Sequence, residues 1–149
     1  MFKKVLLTTI LILTACSSVK DEPLPITSAS EKAVEFYKKG VNHWEQGEGL
    51  EARNSFYSAL RVDPNIILAN LFVGEPDPQQ RRRYRQTAVD NKGNGSDAER
   101  ILVEMWEAQR DGQSSKRLEL AKELVNKYPN SSESHTWLGD VYTEQFMFD

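Results

Sequence analysis

The 149-residue chain has only one cysteine and two histidines, and no hydrophobic run as long as a membrane-spanning helix. One cysteine excludes a disulfide bond within the chain. The histidines, His43 and His135, stand far apart and lack the neighbouring residues of a metal site or a catalytic triad. A phosphate-binding loop is also missing, because Gly93-Asn94-Gly95 follows a polar segment and has no lysine–serine ending. We therefore predict that the protein is not an enzyme and holds no cofactor or metal.

The chain has little net charge, -3 at pH 7, although 28% of its residues are charged. This balance is typical of an ordinary soluble protein, and it does not predict a nucleic-acid partner. One basic cluster is formed by Arg81, Arg82, Arg83 and Arg85. Consecutive residues point to different sides of a helix, so we expect a solvated surface here more than a site for lipid phosphates or an acidic partner.

The first fifteen residues have the layout of a secretory signal peptide, with a basic start, an apolar run and small residues before Cys16. The apolar run, Val5 to Leu13, is too short to cross a bilayer, since crossing takes roughly 20 apolar residues. Leu13-Thr14-Ala15-Cys16 resembles the lipobox of bacterial lipoproteins. The resemblance implies that residues 1–15 are removed and that Cys16 carries the acyl chains that anchor the protein in a bilayer.

Residues 16–30 contain Pro23 and Pro25 among small and polar residues, without the apolar period of a helix. They are predicted to form a flexible tether between the lipid and the folded domain. With the lipobox, this predicts a lipid-anchored protein of the bacterial cell envelope. The expected location is the outer membrane, facing the periplasm, with exposure at the cell surface as the alternative.

Residues 31–149 are predicted to form an all-α domain. From Ala33 to Trp44, apolar or small residues recur every three or four positions, which predicts an amphipathic helix that ends near Gly47. A second apolar stripe follows and ends at Asp63-Pro64, because proline cannot continue the interior of a helix. Residues 31–65 are therefore predicted to form an antiparallel helical hairpin.

Residues 98–130 repeat this pattern more loosely and end at Pro129, which lies 65 residues after Pro64. The irregular middle, residues 66–97, has a short apolar run, a polar helical stretch and a loop rich in glycine and asparagine. Residues 131–149 begin a further, partial repeat. No second helix follows in this sequence to pair with it, so its apolar residues are expected to lack cover. We expect either that the sequence is a fragment of a longer lipoprotein, or that this face is covered by dimerisation or by a partner.

The first hairpin resembles the tetratricopeptide repeat (TPR), a helix–turn–helix unit of about 34 residues. The matching residues are Gly40, Gly47, Ala52, Phe56, Ala59 and Pro64. Leu138, Gly139 and Tyr142 match the first helix of another repeat. The chain departs from the family pattern at Phe36, Lys39 and His43. The resemblance implies a short solenoid of stacked antiparallel hairpins that acts as a protein–protein interaction scaffold.

In this family, ligands lie in a concave groove lined by the first helices of the repeats. The corresponding positions of this chain are Tyr37, Val41, Trp44, Trp106, Gln109, Asp140 and Thr143. The resemblance implies a protein or peptide ligand there, and tryptophan and tyrosine often dominate binding energy. Aromatic residues at helical spacing are also common in cores, so both interpretations of Trp44 and Trp106 stay open. The alternative functions are an accessory subunit of an envelope enzyme and a structural lipoprotein that forms homo-oligomers through its C-terminal helix.

Overall fold

A computed structural model describes the backbone of residues 20–148 and the side chains of residues 20–144. All regular structure in these residues is helical, which confirms the predicted all-α class. The helices are α1 (Glu31–Glu45), α2 (Gly49–Val62), α3 (Ile67–Phe72), α4 (Pro78–Asn91), α5 (Asp97–Arg110), α6 (Ser114–Lys127) and α7 (Ser132–Phe148), with a 3₁₀ turn at Lys92–Asn94. None of these helices is long and apolar enough to span a membrane. The predicted signal peptide and the predicted lipidation site at Cys16 lie outside the described residues.

The first two helices, α1 and α2, pack against each other as a hairpin joined by a three-residue turn. The turn contains Gly47, whose φ of 77° is unfavourable for residues with a Cβ. The N–H of Glu48 donates to the carbonyl of His43 at 2.9 Å and completes the end of α1. The two helices approach closely at Gly40, because glycine has no Cβ. A Cβ at this position would lie only 2.6 Å from the ring of Phe56.

The helices α5 and α6 repeat the first hairpin. α6 begins and ends 65 residues after α2. Gly112, with a φ of 68°, stands in the turn at the position that Gly47 has in the first hairpin. The closing hydrogen bond is repeated as well, since the N–H of Gln113 donates to the carbonyl of Ala108 at 2.8 Å. The chain therefore contains an internal structural repeat of helical hairpins.

The short helix α3 contacts both hairpins, through α2 and α5. Five of its six residues are buried. One of these is polar: the side-chain amide of Asn70 donates to the carbonyls of Pro64 at 2.8 Å and Ile66 at 2.9 Å, which offsets the cost of its burial. Gly95 allows α3 to approach the loop before α5, because a Cβ there would lie 2.5 Å from Ile67. α3 thus holds the two hairpins together.

The helix α4 is largely exposed and carries the four-arginine cluster. Arg82 and Arg83 are exposed, whereas Arg81 donates to the carbonyl of Glu75 at 3.1 Å and Arg85 is partly buried. The four side chains therefore have different surroundings and do not form one basic patch.

An extended segment, residues 20–30, lies across one end of the helical hairpins, and we call it the strap. Its first part is bound to the start of α7, where the N–H of Glu22 donates to the carbonyl of Asn130 at 3.2 Å. The carboxylate of Asp21 accepts the N–H of Ser132 at 2.7 Å and the hydroxyl of the same residue at 3.0 Å. Asp21 thereby caps α7, whose first backbone N–H groups have no partner within the helix.

The strap continues past α5 and ends beside α2. The side chain of Leu24 is 4% exposed and belongs to the hydrophobic core, and its N–H donates to Glu133 at 3.0 Å. The N–H of Thr27 donates to Glu99 at 3.0 Å, and the hydroxyl of Ser28 donates to Asp63 at 2.6 Å. The strap therefore connects the last helix of the described chain with both hairpins.

The strap differs from the flexible tether predicted for residues 16–30. Residues 20–30 are extended, as expected for a linker, but they are bound to the domain. The backbone N–H groups of an extended segment need acceptors, and the side chains of Glu99, Glu133 and Asp63 supply them. Only residues 17–19 separate the strap from the predicted lipidation site, Cys16.

The last helix, α7, packs on α6. Val141 is buried, Leu138 is partly buried, and Tyr142 is 37% exposed. Arg117 of α6 is buried and donates a charged hydrogen bond to Glu144 across the helix pair. The predicted self-association through α7 stays a prediction.

Candidate binding groove

The candidate site is a groove with a volume of about 520 Å³. Residues of α1, α5 and α7 form most of its lining, together with the end of α3, the two residues after it, and single residues of α2, α4 and α6. Six of the seven residues predicted from the sequence line this groove, namely Tyr37, Val41, Trp44, Trp106, Gln109 and Asp140. The structure therefore brings together residues of α1, α5 and α7 that are far apart in the chain.

The seventh predicted residue, Thr143, does not line the groove. Its side chain is exposed, and its hydroxyl donates to the carbonyl of Gly139 at 2.9 Å within α7. The groove is completed instead by the next residue, Glu144, because Glu144 is held there by its hydrogen bond with Arg117. The predicted contact of Thr143 with a partner stays a prediction.

The internal repeat explains why these residues meet. Positions 65 residues apart in α1 and α5 are equivalent in the two hairpins, so they present side chains to the same space. The equivalent pairs that line the groove are Tyr37 and Leu102, Val41 and Trp106, and Trp44 and Gln109. The two hairpins thus contribute the same face of their first helices.

Aromatic rings form a continuous band along the groove. Phe72 stands at its centre, stacked on Trp137 with ring centroids 5.4 Å apart and in edge contact with Trp44 at 6.0 Å. Trp44 is 55% exposed, so much of its ring is open to a ligand. All three tryptophans of the chain line the groove. Phe72 and Trp137 were not predicted as site residues, although Trp137 lies three positions before the predicted Asp140 on the same helix.

Two arginines flank the ring of Trp106. The guanidinium of Arg85 lies 5.3 Å from the ring centroid and that of Arg110 lies 5.1 Å from it, both within the range of cation–π attraction. Arg85 lines the groove and was expected only as part of a solvated surface. Burial lowers the pKa of Arg85, and the charge of Arg81 adds to this effect.

The Nε–H of Arg85 is a buried hydrogen-bond donor that has no acceptor among the described residues. Leaving such a group unsatisfied costs about 1–3 kcal/mol or more when it is charged. Solvent does not reach this atom, so a ligand in the groove would contact other parts of the Arg85 side chain. Arg85 therefore adds a positive charge to the groove beside Trp106.

The acidic residues of the groove differ in their hydrogen-bond partners and in their exposure. Glu144 is bound to Arg117, and Glu133 accepts the N–H of Leu24 in the strap. Glu45 and Asp140 are exposed at the groove. The groove therefore combines an aromatic band with separate positive and negative positions.

The two histidines lie outside the residues that line the groove. His43 pairs with Glu48 at 2.5 Å beside the α1–α2 turn, and a ring nitrogen of His135 lies 2.9 Å from the carbonyl of Pro129. Within residues 20–144, no group of three or more His, Cys, Asp or Glu side chains is arranged to hold a metal ion.

Comparison of the chain with protein-family models and with curated proteins found no match. The relation to the TPR family therefore remains a resemblance, carried by residues such as Gly40, Gly47 and Phe56. The aromatic and charged residues of the groove are therefore the features that indicate a function.

Proposed function

We propose that this protein is a lipid-anchored module of the bacterial envelope, not an enzyme, and that it holds a segment of a partner protein in the groove. The observation that carries this proposal is that equivalent positions of two repeated hairpins line one groove. The internal repeat also supports a short TPR-like solenoid as the fold. All three tryptophans line the groove, and tryptophan is among the residues that dominate binding energy in protein interfaces.

The groove favours a peptide that has both an apolar side chain and an oxygen acceptor. The band of Trp44, Phe72 and Trp137 can pack against an apolar or aromatic side chain. The guanidinium of Arg85, which lines the groove beside Trp106, can donate to a backbone carbonyl or a carboxylate of the same peptide. A groove of about 520 Å³ falls within the usual size of a ligand site, and it accommodates a few side chains.

Site-specific crosslinking tests this function. A photoreactive amino acid replaces Gln109, which is exposed in the groove, or Gln113, which is exposed in the α5–α6 turn outside it. In intact cells, position 109 should give a discrete adduct that mass spectrometry identifies as a protein, and position 113 should not. The same adducts at both positions would contradict binding in the groove.

A pair of arginine variants tests the contribution of Arg85. Arg85→Met removes a guanidinium that lines the groove, whereas Arg82→Met removes an exposed guanidinium of the same helix. The yield of the adduct at position 109 should fall in Arg85→Met and stay unchanged in Arg82→Met. Equal yields would exclude Arg85 from binding.

The proposed lipid anchor rests on the lipobox and on Cys16, the only cysteine of the chain. Cys16→Ser should abolish labelling with a fatty-acid probe and release the protein from membranes, while Ser18→Ala should change neither. Density-gradient fractionation of the wild-type protein tests the proposed outer-membrane location. Unchanged membrane fractionation of Cys16→Ser would contradict the anchor.

Self-association is a second candidate function, which the exposure of Tyr142 on α7 favours. A tyrosine that is 37% exposed on the outer helix can pack against a second copy. Sedimentation of the wild-type protein and of Tyr142→Asp tests this. A dimer that the substitution dissociates would support it, and a wild-type monomer would exclude it.

A further inference from the structure

The strap fixes how far the domain can stand from a lipid attached to Cys16. Without the strap, fourteen residues would separate Cys16 from the first residue of α1, Glu31. The fifteen residue steps from Cys16 to Glu31 can span at most about 54 Å. The strap is bound to the domain from Asp21 onward, so only residues 17–20 remain between Cys16 and the first bound residue.

This bound position lies at a defined end of the domain. From Cys16 to Asp21 the chain spans at most about 18 Å. Asp21 is hydrogen-bonded to Ser132 at the start of α7, and the strap then follows the end of the hairpins where α5 begins and α2 ends. We call this the strap end. The α1–α2 and α5–α6 turns form the opposite end, one helix length of about 21 Å away.

The groove runs from the strap end to the turns. At the strap end it is lined by Ser132, which is bound to Asp21, and by Glu133, which accepts the N–H of Leu24. Beside the turns it is lined by Glu45, the last residue of α1. The position of the strap end relative to a membrane therefore fixes the position of one end of the groove.

We propose that the strap holds the strap end of the domain against the bilayer surface, so that one end of the groove lies next to the membrane and the α1–α2 and α5–α6 turns face away. This inference rests on the proposed lipidation of Cys16. The surface that meets the bilayer is polar and fits lipid head groups and not the hydrocarbon core, because its exposed residues include Lys20, Asp21, Glu22 and Asn130. A ligand in the groove would then have one end close to the membrane surface.

Quenching by lipids tests the orientation in the full-length, lipidated protein. In this form the thiol of Cys16 is occupied by lipid, so a single added cysteine can carry a fluorophore. Asn130→Cys places the fluorophore at the strap end, and Ser115→Cys places it near the α5–α6 turn. In vesicles of phosphatidylethanolamine and phosphatidylglycerol with a nitroxide head-group lipid, we expect clear quenching at position 130 and little at position 115. Equal quenching at the two positions would overturn the proposal.

Two changes to the strap or to the chain before it should abolish the difference in quenching between positions 130 and 115. Leu24→Asp places a charge in the core site of Leu24 and should release the strap, with loss of most of the quenching at position 130. Pro23→Asp adds the same charge at an exposed neighbour and should leave the quenching intact. A segment of glycine and serine inserted between Val19 and Lys20 lengthens the chain without touching the domain, and it should cause the same loss as Leu24→Asp.

The insertion tests the orientation even if Leu24→Asp unfolds the domain, because the insertion replaces no residue of the domain. Unchanged quenching after the insertion would overturn the proposal. Failure of the lipid anchor is recognised separately, by a protein that takes up no fatty-acid probe and does not sediment with the vesicles. That result would refute the anchor and this orientation together, whereas a sedimenting protein with equal quenching would refute the orientation alone.

Discussion

The carboxylate of Glu99 accepts the backbone N–H of Thr27 at 3.0 Å and so joins the strap to the first turn of α5. The side chain of Glu99 is fully buried. Its second oxygen accepts the N–H of Ser96 at 2.8 Å, and the hydroxyl of Ser96 accepts the N–H of Glu99 at 3.2 Å. One buried carboxylate therefore completes a helix cap and holds a segment 72 residues away in the chain.

Glu99→Gln should release the strap locally and destabilise the domain. The amide group replaces one acceptor oxygen by a donor that faces a backbone N–H. An unsatisfied buried donor costs about 1–3 kcal/mol, and urea denaturation measures this loss. Hydrogen exchange should show faster exchange of the Thr27 amide.

Glu119→Gln, at an exposed position of α6, is the control. Equal stability of the two variants would exclude a structural role of the Glu99 carboxylate.

Two glycines inside helices should respond to alanine with opposite signs. At Gly40, a Cβ would lie 2.6 Å from the ring of Phe56, and such overpacking costs typically about 1–3 kcal/mol. A Cβ added at Gly139 would have no neighbouring atom within 4 Å apart from the backbone of its own helix. Alanine should therefore stabilise α7 by about 0.5–1 kcal/mol through its higher helix propensity. Melting temperatures measure both effects. A rise in both variants would mean that α1 and α2 do not approach closely.

The hydrogen bond from Tyr57 to Glu75 should make stability depend on alkaline pH. Burial, followed by this hydrogen bond, raises the pKa of Tyr57 to about 12, and the bond also lowers the pKa of Glu75. The folded state therefore favours the protonated phenol. Its contribution is complete below the ordinary tyrosine pKa of about 10 and is lost as the pH rises towards 12.

Tyr57→Phe tests this pH dependence, because phenylalanine lacks the hydroxyl. The variant should melt at a lower temperature than the wild type at neutral pH, and the difference should shrink as Tyr57 loses its proton at high pH. Tyr142→Phe, at an exposed tyrosine, is the control and should follow the wild type throughout. A difference between Tyr57→Phe and the wild type that does not change with pH would show that the hydroxyl proton is not involved.

A comparison of Trp44 with Phe56 decides whether Trp44 belongs to the core or to the groove. The two rings are in edge contact, but Phe56 is only 1% exposed and Trp44 is 55% exposed. Phe56→Ala should cost about 3–5 kcal/mol of stability. Trp44→Ala should cost roughly 0.5–1.5 kcal/mol, the worth of its aromatic contacts. Denaturant unfolding measures both, and a loss at Trp44 as large as that at Phe56 would make Trp44 a core residue.

The long helices could be predicted because their ends are dictated by single residues. Gly47 adopts a left-handed conformation that stops α1, and Pro64 cannot continue α2. The apolar period between such residues indicates which face is buried. For α3 the period is absent, because five of its six residues are buried and an apolar run of this kind fits a helix or a strand equally well.

The strap could not be predicted because an extended segment leaves no period in the sequence. Its position depends on backbone N–H groups, which every residue except proline has, and on carboxylates such as Glu99 and Glu133 that lie far away in the chain. The polar residues and prolines of residues 16–30 are equally compatible with a free linker. A bound strap becomes visible only when the acceptors are placed in three dimensions.

The groove could be predicted where the repeat defines it. Val41 and Trp106 occupy equivalent positions in two hairpins, so a shared pattern assigned both of them to one face. Phe72 and Arg85 come from α3 and α4, in the irregular middle. Their place in the groove depends on how these helices pack, which no repeat pattern fixes.

The strap also has a consequence for the order of folding. Its hydrogen bonds from the N–H of Leu24 to Glu133 and from the N–H of Ser132 to Asp21 join residues 109 and 111 positions apart. Contacts of such long sequence separation form slowly, whereas a helical hairpin closes over a few residues. The bonds of Asp21 and Leu24 can therefore form only after the start of α7 is in place. Until then, the first part of the strap lacks its acceptor and donor, although its residues are synthesised about a hundred residues before that helix.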